Sequence, residues 1–359
     1  MGIQSHLEKF HNKIKLGHQD EEYKKARDRD DSITAEVKKA FTESNHAVIE
    51  DFIQGSLAPN VALGVKPLNG DHDIDRAIVI SEANAPENPV DPKKVALKVL
   101  EDRGFKNAKI KRPCVTADYT SESLHIDYPV YKEDSGVYYL AVGKNGSDEA
   151  NRRWEMSDPH GLLEWIADTS TYGNEATTYQ PQFRRCIRYL KRWREVRFNP
   201  DVARKVYSIG LTVLMKTNFV PRLSPDGKPD DLLSLRDTVE QILNSGCFQP
   251  SSEDKFRIRV YLPKAPHRDI FTNSSIDTGT QLRNKLTRLS SKLTAALKET
   301  DERKQCVLLN EVFGDDFVVP EVNSNSSLIK PATKASKTQP PAVSFSNSRR
   351  VPKQPKGFA

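Results

Sequence analysis

Two aspartates separated by one residue, in the segment Asp73-Ile74-Asp75, are the first residues of this sequence that could do chemistry. They begin a run of apolar and β-branched residues, 73–80, that is typical of a central strand. Residues two apart on a strand point to the same face, so the two carboxylates would lie side by side. Two such charges about 4 Å apart repel by ~4 kcal/mol at an effective dielectric of about 20. A bound cation would relieve this repulsion, so the pair predicts a metal site.

A third carboxylate, Asp127, lies in the alternating segment LHIDY, where Ile126 and Tyr128 would face the core and Asp127 the cleft. All three candidate ligands are oxygen donors, and the sequence has no cluster of Cys and His at metal-ligand spacing, which favours Mg²⁺ over Zn²⁺. Carboxylates from two strands can hold two metal ions, one activating an attacking hydroxyl and one stabilising a leaving pyrophosphate. We therefore predict that Asp73, Asp75 and Asp127 bind two Mg²⁺ ions and act in catalysis.

A Gly-Ser pair, Gly55-Ser56, precedes the aspartates and could hold phosphate. Glycine lets a phosphate approach the backbone closely, and serine offers an N–H and a hydroxyl. An Asp-X-Asp motif alone is more often a solvated strand end than a metal site. The order of Gly-Ser, the two aspartates and a later aspartate on an alternating strand favours the metal site. The neighbouring His72 and His125 are interpreted as structural residues.

The flanking sequence predicts an α+β fold. Charged helical segments occupy the first fifty residues, one ending near Gly17 and one beginning at Asp31 or Ser32. Strands are predicted at 50–58, 73–80, 108–117, 123–131 and 136–143, with a helix at 91–103 that Asp91 caps. After Pro159 helical periodicity dominates, in segments 160–169, 175–198, 202–218, 230–245, 279–300 and 301–313, with one strand at 256–263.

The composition indicates a globular chain. Its 359 residues, 36% of them hydrophobic, can form one large domain or two packed ones. The longest uncharged apolar stretch, 207–215, is too short to cross a bilayer. The four cysteines are scattered, and the first residues contain no apolar signal segment, so we expect a cytoplasmic protein.

The net charge of +6 comes from the C-terminal tail. Residues 320–359 contain seven Lys and Arg and one Glu, so residues 1–319 are formally neutral. A neutral folded part argues against a protein that coats DNA or RNA, because such binding depends on neutralising phosphates. The tail is rich in Ser, Asn, Pro and Lys, which predicts disorder.

The stretch GSLAPNVALGVKPLNGDHDIDRAIVI with the later LHIDYPVY resembles the DNA polymerase β-type nucleotidyltransferase superfamily. More narrowly, it resembles the bacterial CD-NTases, the cyclic oligonucleotide synthases related to cyclic GMP-AMP synthase. The resemblance covers roughly residues 1–319. It implies a mixed-sheet nucleotidyltransferase core packed on a mostly helical C-terminal half, with the three acids binding metal and the Gly-Ser turn binding phosphate. Asn60-Val61 stands where many bacterial members of the family have Gly-Thr. The sequence has no zinc-ribbon cysteine cluster, which argues against DNA sensing of the animal type.

The resemblance implies two further contacts with the donor triphosphate. The helix FRRCIRYLKRW matches a family helix whose lysine contacts that triphosphate, which points to Lys191. The segment KVYSIGLTVL matches one whose serine does the same, which points to Ser208. The alternative for Lys191 is a residue on a solvated basic face.

These features predict a Mg²⁺-dependent, template-independent enzyme that joins ATP, GTP or other ribonucleoside triphosphates into a cyclic di- or trinucleotide. By resemblance, the product is a second messenger of CBASS antiphage defence that acts on a downstream effector. The alternatives are a linear RNA-tailing nucleotidyltransferase and a catalytically idle, RNA-binding or scaffold relative. The predicted domains are a nucleotidyltransferase core with N-terminal helices (1–157), a helical domain (158–319) and a flexible basic tail (320–359).

The C-terminal end, KGFA, supports a separate hypothesis. A small terminal residue near a glycine lets an extended backbone enter a narrow active site. The resemblance implies that some CBASS synthases are conjugated through a C-terminal Gly or Ala by an E1–E2-like partner. We therefore assign Ala359 as a candidate conjugation point, with a tail that merely aids solubility as the alternative.

Overall fold

The computed structural model describes residues 2–17, 19–68, 72–119 and 124–321. Within these ranges the helices are α1 (Ile3–Ile14), α2 (Glu21–Glu43), α3 (Val90–Asp102), α4 (Pro159–Ala167), α5 (Ala176–Arg197), α6 (Pro200–Ala203), α7 (Ser208–Asn218), α8 (Asp231–Asn244), α9 (Ile276–Lys298) and α10 (Glu302–Phe313). The strands are β1 (Val48–Gln54), β2 (His72–Ser81), β3 (Lys109–Ile110), β4 (Val115–Tyr119), β5 (Leu124–Tyr128), β6 (Val130–Asp134), β7 (Val137–Val142), β8 (Arg153–Ser157), β9 (Phe248–Ser252) and β10 (Lys255–Ile258). None of the described helices is long and apolar enough to cross a membrane.

Strand β2 lies at the centre of a mixed sheet. The strand order is β3-β4-β5-β2-β6-β7-β8, and β1 also pairs with β2, in the antiparallel sense. Strands β5 and β6 run parallel to successive parts of β2. They are separated by Pro129, which has no N–H to donate, although its carbonyl still accepts the Ile78 N–H at 3.0 Å. The apolar run of β2 forms the centre of the sheet because residues 77–80 are fully buried.

Two hydrophobic cores hold the elements in place. In the first, α2 and α3 cover one face of the sheet and bury Ile33, Val37 and Leu100. In the second, α1 packs among α5, α7, α8, α9 and α10, where Phe10 stacks on Tyr189 with ring centroids 5.4 Å apart. The predicted α+β class, with a mixed-sheet core followed by mostly helical sequence, is confirmed. The predicted boundary between residues 157 and 158 stays a prediction, and the tail assigned to 320–359 lies outside the described residues from 322 onward.

Several element predictions were wrong in position. Helix α2 begins at Glu21, ten residues before the predicted start, because Asp20 takes the N-cap position and two glutamates occupy the first turn. Asp91 lies inside the first turn of α3 instead of capping it. The predicted strand 108–117 is broken by a turn after Ile110, and the predicted helix 202–218 divides into α6 and α7. Strand β8 was missed because it is short and its residues are mostly polar.

A buried ionic network joins α2 to the back of β2. The Arg76 guanidinium, 6% exposed, donates to Asp30 at 2.9 Å through Nε and to Asp51 at 2.8 Å, and it also contacts Asp31. Asp30 is fully buried and accepts a further hydrogen bond from the Tyr128 hydroxyl at 3.2 Å. Because Arg76 follows Asp75 on the strand, the network fixes β2 from the face opposite the candidate site.

Candidate active site

The three predicted acids lie on neighbouring strands of one sheet. Asp73 is exposed and Asp75 partly buried, whereas Ile74 between them is 1% exposed and faces the core. The parallel pairing of β2 and β5 places Asp127 directly opposite Asp75. Asp73 and Asp75 line a cleft with a volume of about 1240 Å³, and Asp127 lies beside Asp75 but is not among the residues that line this cleft. The sheet register therefore places the three residues at neighbouring positions on one face of the sheet.

Asp75 is held against the Gly55 backbone. Gly55 has φ +71°, and a Cβ atom built on it would lie 2.5 Å from the Asp75 carboxylate. Both the left-handed conformation and the close approach require glycine. Burial, together with the charges of Asp127 and Asp73, raises the pKa of Asp75 to about 7. The like-charge conflict predicted from the sequence is therefore present.

Asp127 is surrounded by cationic and hydrogen-bonding groups. Its Oδ1 atom lies 3.2 Å from His125 Nε2 and 3.6 Å from Lys111 Nζ. Burial opposes its ionisation, but His125, the Thr116 hydroxyl and Lys111 outweigh burial and lower its pKa to about 2. His125 also contacts Asp118 through Nδ1, and its pKa rises to about 9, chiefly through Asp127. His125 lies two residues before Asp127 on the same strand, so the two side chains share a face. This spacing is the sequence signal that could have assigned His125 to the site.

The donor set suits a hard divalent cation. Asp127 Oδ1 is buried and has no hydrogen bond of good geometry, because His125 and Lys111 approach it only as charges. Asp75 would ionise more readily beside a cation, since burial and then the neighbouring carboxylates raise its pKa. Among the described residues no three His, Cys, Asp or Glu side chains converge on one point. Asp127 would therefore have to exchange its present contacts for the ion.

The Gly-Ser turn opens onto the same cleft. Residues Gly55–Leu57 form one 3₁₀ turn directly after β1, and both Gly55 and Ser56 line the cleft. The Ser56 carbonyl accepts the Leu63 N–H at 2.8 Å, which fixes the turn against the following loop. The Ser56 side chain is thus presented close to the acids, where a phosphate group would have to lie.

Lys191 and Ser208 approach the cleft from the helical part. Lys191 is 5% exposed, so the alternative of a solvated residue is wrong. Its ammonium donates to the Leu63 carbonyl at 3.2 Å, and burial followed by the charges of Arg194 and Arg188 lowers its pKa to about 7. Ser208 is the first residue of α7, whose N-cap makes no side-chain hydrogen bond, and it lines the cleft. The first-turn N–H groups of α7 can therefore meet an anion.

The basic residues of α5 also hold a loop in place by hydrogen bonds, which the sequence did not reveal. They donate to backbone carbonyls of the loop that connects the Gly-Ser turn to β2. The pairs are Arg184 to Asn60, Arg188 to Ala62 and Gly64, Lys191 to Leu63, and Arg192 to Lys66. More than 120 residues separate the partners in each pair, so helical periodicity alone could not indicate them.

The candidate conjugation residue, Ala359, lies outside the described residues.

Comparisons with known proteins agree with this geometry. Residues 50–131 match the family model described as the nucleotidyltransferase domain of cyclic GMP-AMP synthase DncV-like proteins. No curated protein matches the sequence. Three solved structures illustrate the likeness of the fold. Vibrio cholerae DncV with the linear intermediate 5′ pppA(3′,5′)pG is 16% identical, and the match covers 75% of this chain and 69% of that chain with a TM-score of 0.55. Bradyrhizobium diazoefficiens CdnG with GTP is 14% identical, and the match covers 88% of this chain and 95% of that chain with a TM-score of 0.64. The E. coli MS115-1 CdnC:HORMA-deltaN complex is 14% identical, and the match covers 88% of this chain and 97% of that chain with a TM-score of 0.57.

The matched segment begins in β1 and ends in β6, so it contains the Gly-Ser turn and all three acids. The solved relatives share the fold over three quarters or more of this chain. Residues 50–131 therefore match a DncV-like nucleotidyltransferase domain, and the chain shares the fold of the bacterial CD-NTases.

Proposed function

We propose that this chain is a CD-NTase, a Mg²⁺-dependent, template-independent enzyme that joins ribonucleoside triphosphates, such as ATP and GTP, into a cyclic di- or trinucleotide. The observation that carries the proposal is that Asp73, Asp75 and the Gly55-Ser56 turn line one cleft, with Asp127 in register beside Asp75 on the neighbouring strand. The cleft volume of about 1240 Å³ exceeds that of an ordinary single-ligand pocket of ~300–1000 Å³. It can accommodate more than one nucleotide.

In each step an acceptor hydroxyl oxygen attacks the α-phosphorus of a donor triphosphate. A P–O bond to the acceptor forms, the bond from the α-phosphorus to pyrophosphate breaks, pyrophosphate leaves with its electron pair, and the hydroxyl proton is released to water. A second step of the same kind, with donor and acceptor exchanged, closes the ring of a cyclic dinucleotide. Magnesium held by the three acids would polarise the phosphate and lower the pKa of the attacking hydroxyl.

The protein side chains supply binding and orientation. Gly55 and Ser56 would hold the donor phosphates beside Asp75, and Lys191 would balance negative charge that accumulates on the leaving pyrophosphate. For this Lys191 must leave the Leu63 carbonyl, and a triphosphate would favour its protonated form. The backbone N–H groups at Ser208 would complete the donor site.

The solved relatives support the cyclic product over the alternatives. The V. cholerae DncV structure is that of a cyclic AMP-GMP synthase in complex with the linear intermediate 5′ pppA(3′,5′)pG. The retained acids disfavour an idle scaffold, and the formally neutral residues 1–319 disfavour an RNA-tailing enzyme. By family resemblance we further propose a cytoplasmic role in CBASS antiphage defence, in which the product acts on an effector.

The test is incubation of the purified protein with labelled ATP, GTP, CTP and UTP and Mg²⁺, followed by phosphatase. A phosphatase-resistant product of low mass supports the proposal. A ladder that grows on added RNA would instead indicate tailing, and the absence of any product would favour a scaffold. Asp73→Asn and Asp75→Asn should each abolish the product while the protein remains folded, and activity close to wild type would refute the assigned site.

The conjugation hypothesis for Ala359 needs a separate experiment. The chain would be expressed with an E1–E2-like partner and ATP, with and without Ala359→Glu, and analysed by mass spectrometry for a covalent adduct. A wild-type adduct that the substitution abolishes supports the hypothesis. An adduct that persists in the variant, or none in the wild type, refutes it.

A further inference from the structure

A buried lysine on α3 holds one wall of the cleft from behind. Lys93 is fully buried, and none of the ion pairs among the described residues includes it. Its ammonium instead donates to four backbone carbonyls, those of Lys111 (2.9 Å), Arg112 (2.9 Å), Ala141 (3.2 Å) and Gly143 (2.6 Å). A buried ammonium is costly unless its donors are satisfied, and here the carbonyls satisfy them. Lys93 therefore ties the turn after β3 to the end of β7.

The turn at Lys111–Cys114 is fixed by further backbone bonds. The Lys111 N–H donates to the Cys114 carbonyl at 2.9 Å, and the Gly143 N–H donates to the Arg112 carbonyl at 3.0 Å. Gly143 has φ +136°, and a Cβ atom there would approach Arg152 and Val90 to 3.0 Å, so the clamp depends on glycine. The backbone of the turn is thus held at each of its first two residues.

This turn presents two cations on the side of the site where Asp127 lies. Lys111 Nζ is 3.6 Å from Asp127 Oδ1. Arg112 is exposed and lines the cleft, and none of the ion pairs of the described residues involves its guanidinium. The donor phosphates are assigned to Ser56 and Lys191, which belong to other elements. The turn is therefore a separate source of positive charge at the cleft.

The proposed reaction creates a need for such charge. For a ring to close, the acceptor of the first step must carry its own 5′-triphosphate, because it becomes the donor of the second step. While its hydroxyl is at the acids, this second triphosphate lies outside the donor site. Several negative charges then require cationic partners in a part of the cleft that the donor triphosphate does not occupy.

We propose that the turn Lys111–Cys114, clamped by Lys93, is a second anion subsite that binds the 5′-triphosphate of the acceptor nucleotide. Arg112 is its contact residue, and Lys93 is a positioning residue. The inference rests on the proposed function, since it assumes two triphosphates in one cleft. It adds a residue assignment for the acceptor, which the Gly-Ser turn and Lys191 do not provide.

The test compares two acceptors in a single bond-forming step. The donor is a labelled 2′,3′-dideoxynucleoside triphosphate, which cannot act as acceptor. The acceptor is either a nucleoside α,β-methylene triphosphate, which cannot act as donor, or the same nucleoside without phosphate. The measured quantity is the ratio of kcat/KM for the two acceptors, which isolates the contribution of the acceptor triphosphate.

Arg112→Gln should reduce this ratio by about 10- to 100-fold, the usual range for losing a charge-assisted hydrogen bond. Arg112→Lys should restore part of it. Lys109→Gln, at an exposed position of β3 outside the cleft lining, should leave the ratio unchanged. Lys93→Met should reduce the ratio as well, without weakening binding of the dideoxy donor.

An unchanged ratio in Arg112→Gln overturns the subsite even when the wild-type enzyme is fully active. An equal reduction in Lys109→Gln also overturns it, because any change of charge would then suffice. If the wild type forms no dinucleotide with either acceptor, the proposed function fails and the subsite falls with it. The two failures are thereby distinguishable.

Discussion

Replacing Asp75 with asparagine should stabilise the fold while abolishing catalysis. Burial and the charges of Asp127 and Asp73 raise the pKa of Asp75 from 3.8 to about 7. An acid whose pKa is raised by folding lowers stability increasingly as pH rises from the unfolded to the folded pKa, because only the unfolded chain ionises freely there. At 1.36 kcal/mol per pKa unit, ionised Asp75 costs up to ~4 kcal/mol above pH 7 and up to ~2 kcal/mol at pH 5.

The assay is urea unfolding of wild type and Asp75→Asn in EDTA at pH 5 and pH 8. The variant should be more stable at both pH values, by up to ~4 kcal/mol at pH 8 and by roughly 40% of that at pH 5. The gain is an upper bound because solvent reaches part of the side chain. Asp73→Asn is the matched control, since Asp73 is exposed and should give a much smaller gain.

Magnesium provides a second measurement on the same proteins. Adding Mg²⁺ should stabilise the wild type, because a ligand that binds only the folded state raises stability by mass action. The effect should be much weaker in Asp75→Asn. A variant that is less stable than wild type at pH 8, or a gain that does not grow with pH, would refute the electrostatic argument for this site.

Three further predictions follow from single contacts. Gly55→Ala should cost ~1–3 kcal/mol of stability and most of the activity, because Gly55 has φ +71° and a Cβ atom there would lie 2.5 Å from the Asp75 carboxylate. Turnover and thermal unfolding check this prediction. A variant that is active and as stable as wild type would contradict it. Asp30→Asn should cost ~3–5 kcal/mol in urea unfolding because it leaves the buried Arg76 without its main partner, and a change below ~1 kcal/mol would contradict that role. Triphosphate binding at pH 8 should take up a proton, because the pKa of Lys191 is about 7 in the free protein and a bound anion raises that pKa. Calorimetry in buffers of different ionisation enthalpy should detect the uptake in wild type and not in Lys191→Met. Equal uptake in both proteins would exclude Lys191 as its source.

The local pattern of the sequence was sufficient to predict where the three aspartates and the Gly-Ser turn lie in the fold. Alternation along β2 and β5 put Asp73, Asp75 and Asp127 on strands, with Ile126 and Tyr128 buried behind them. This works because strand geometry repeats every two residues, so a short segment already determines which side chains share a face. The α+β class followed in the same way from the change of period after Pro159.

The sequence did not determine which charged residues are buried. Lys191 and Lys93 both occur in helical segments whose pattern is compatible with solvated lysines, yet the fold buries both of them against backbone carbonyls. Helical periodicity describes only one partner of each contact. The other partner is a loop that becomes adjacent only when the chain folds.

The environment of Asp127 was likewise decided by the tertiary structure. Lys111 and Asp118 reach this residue and its neighbour His125 because β4 pairs antiparallel with β5, which brings residues 7 to 16 positions apart into contact. Strand β5 in turn pairs with β2, which carries Asp73 and Asp75. The sequence by itself determined which residues could do the chemistry, because residue type and strand period are local. Only the fold determined their protonation and their partners, because electrostatic energy depends on distances between groups that the sequence places far apart.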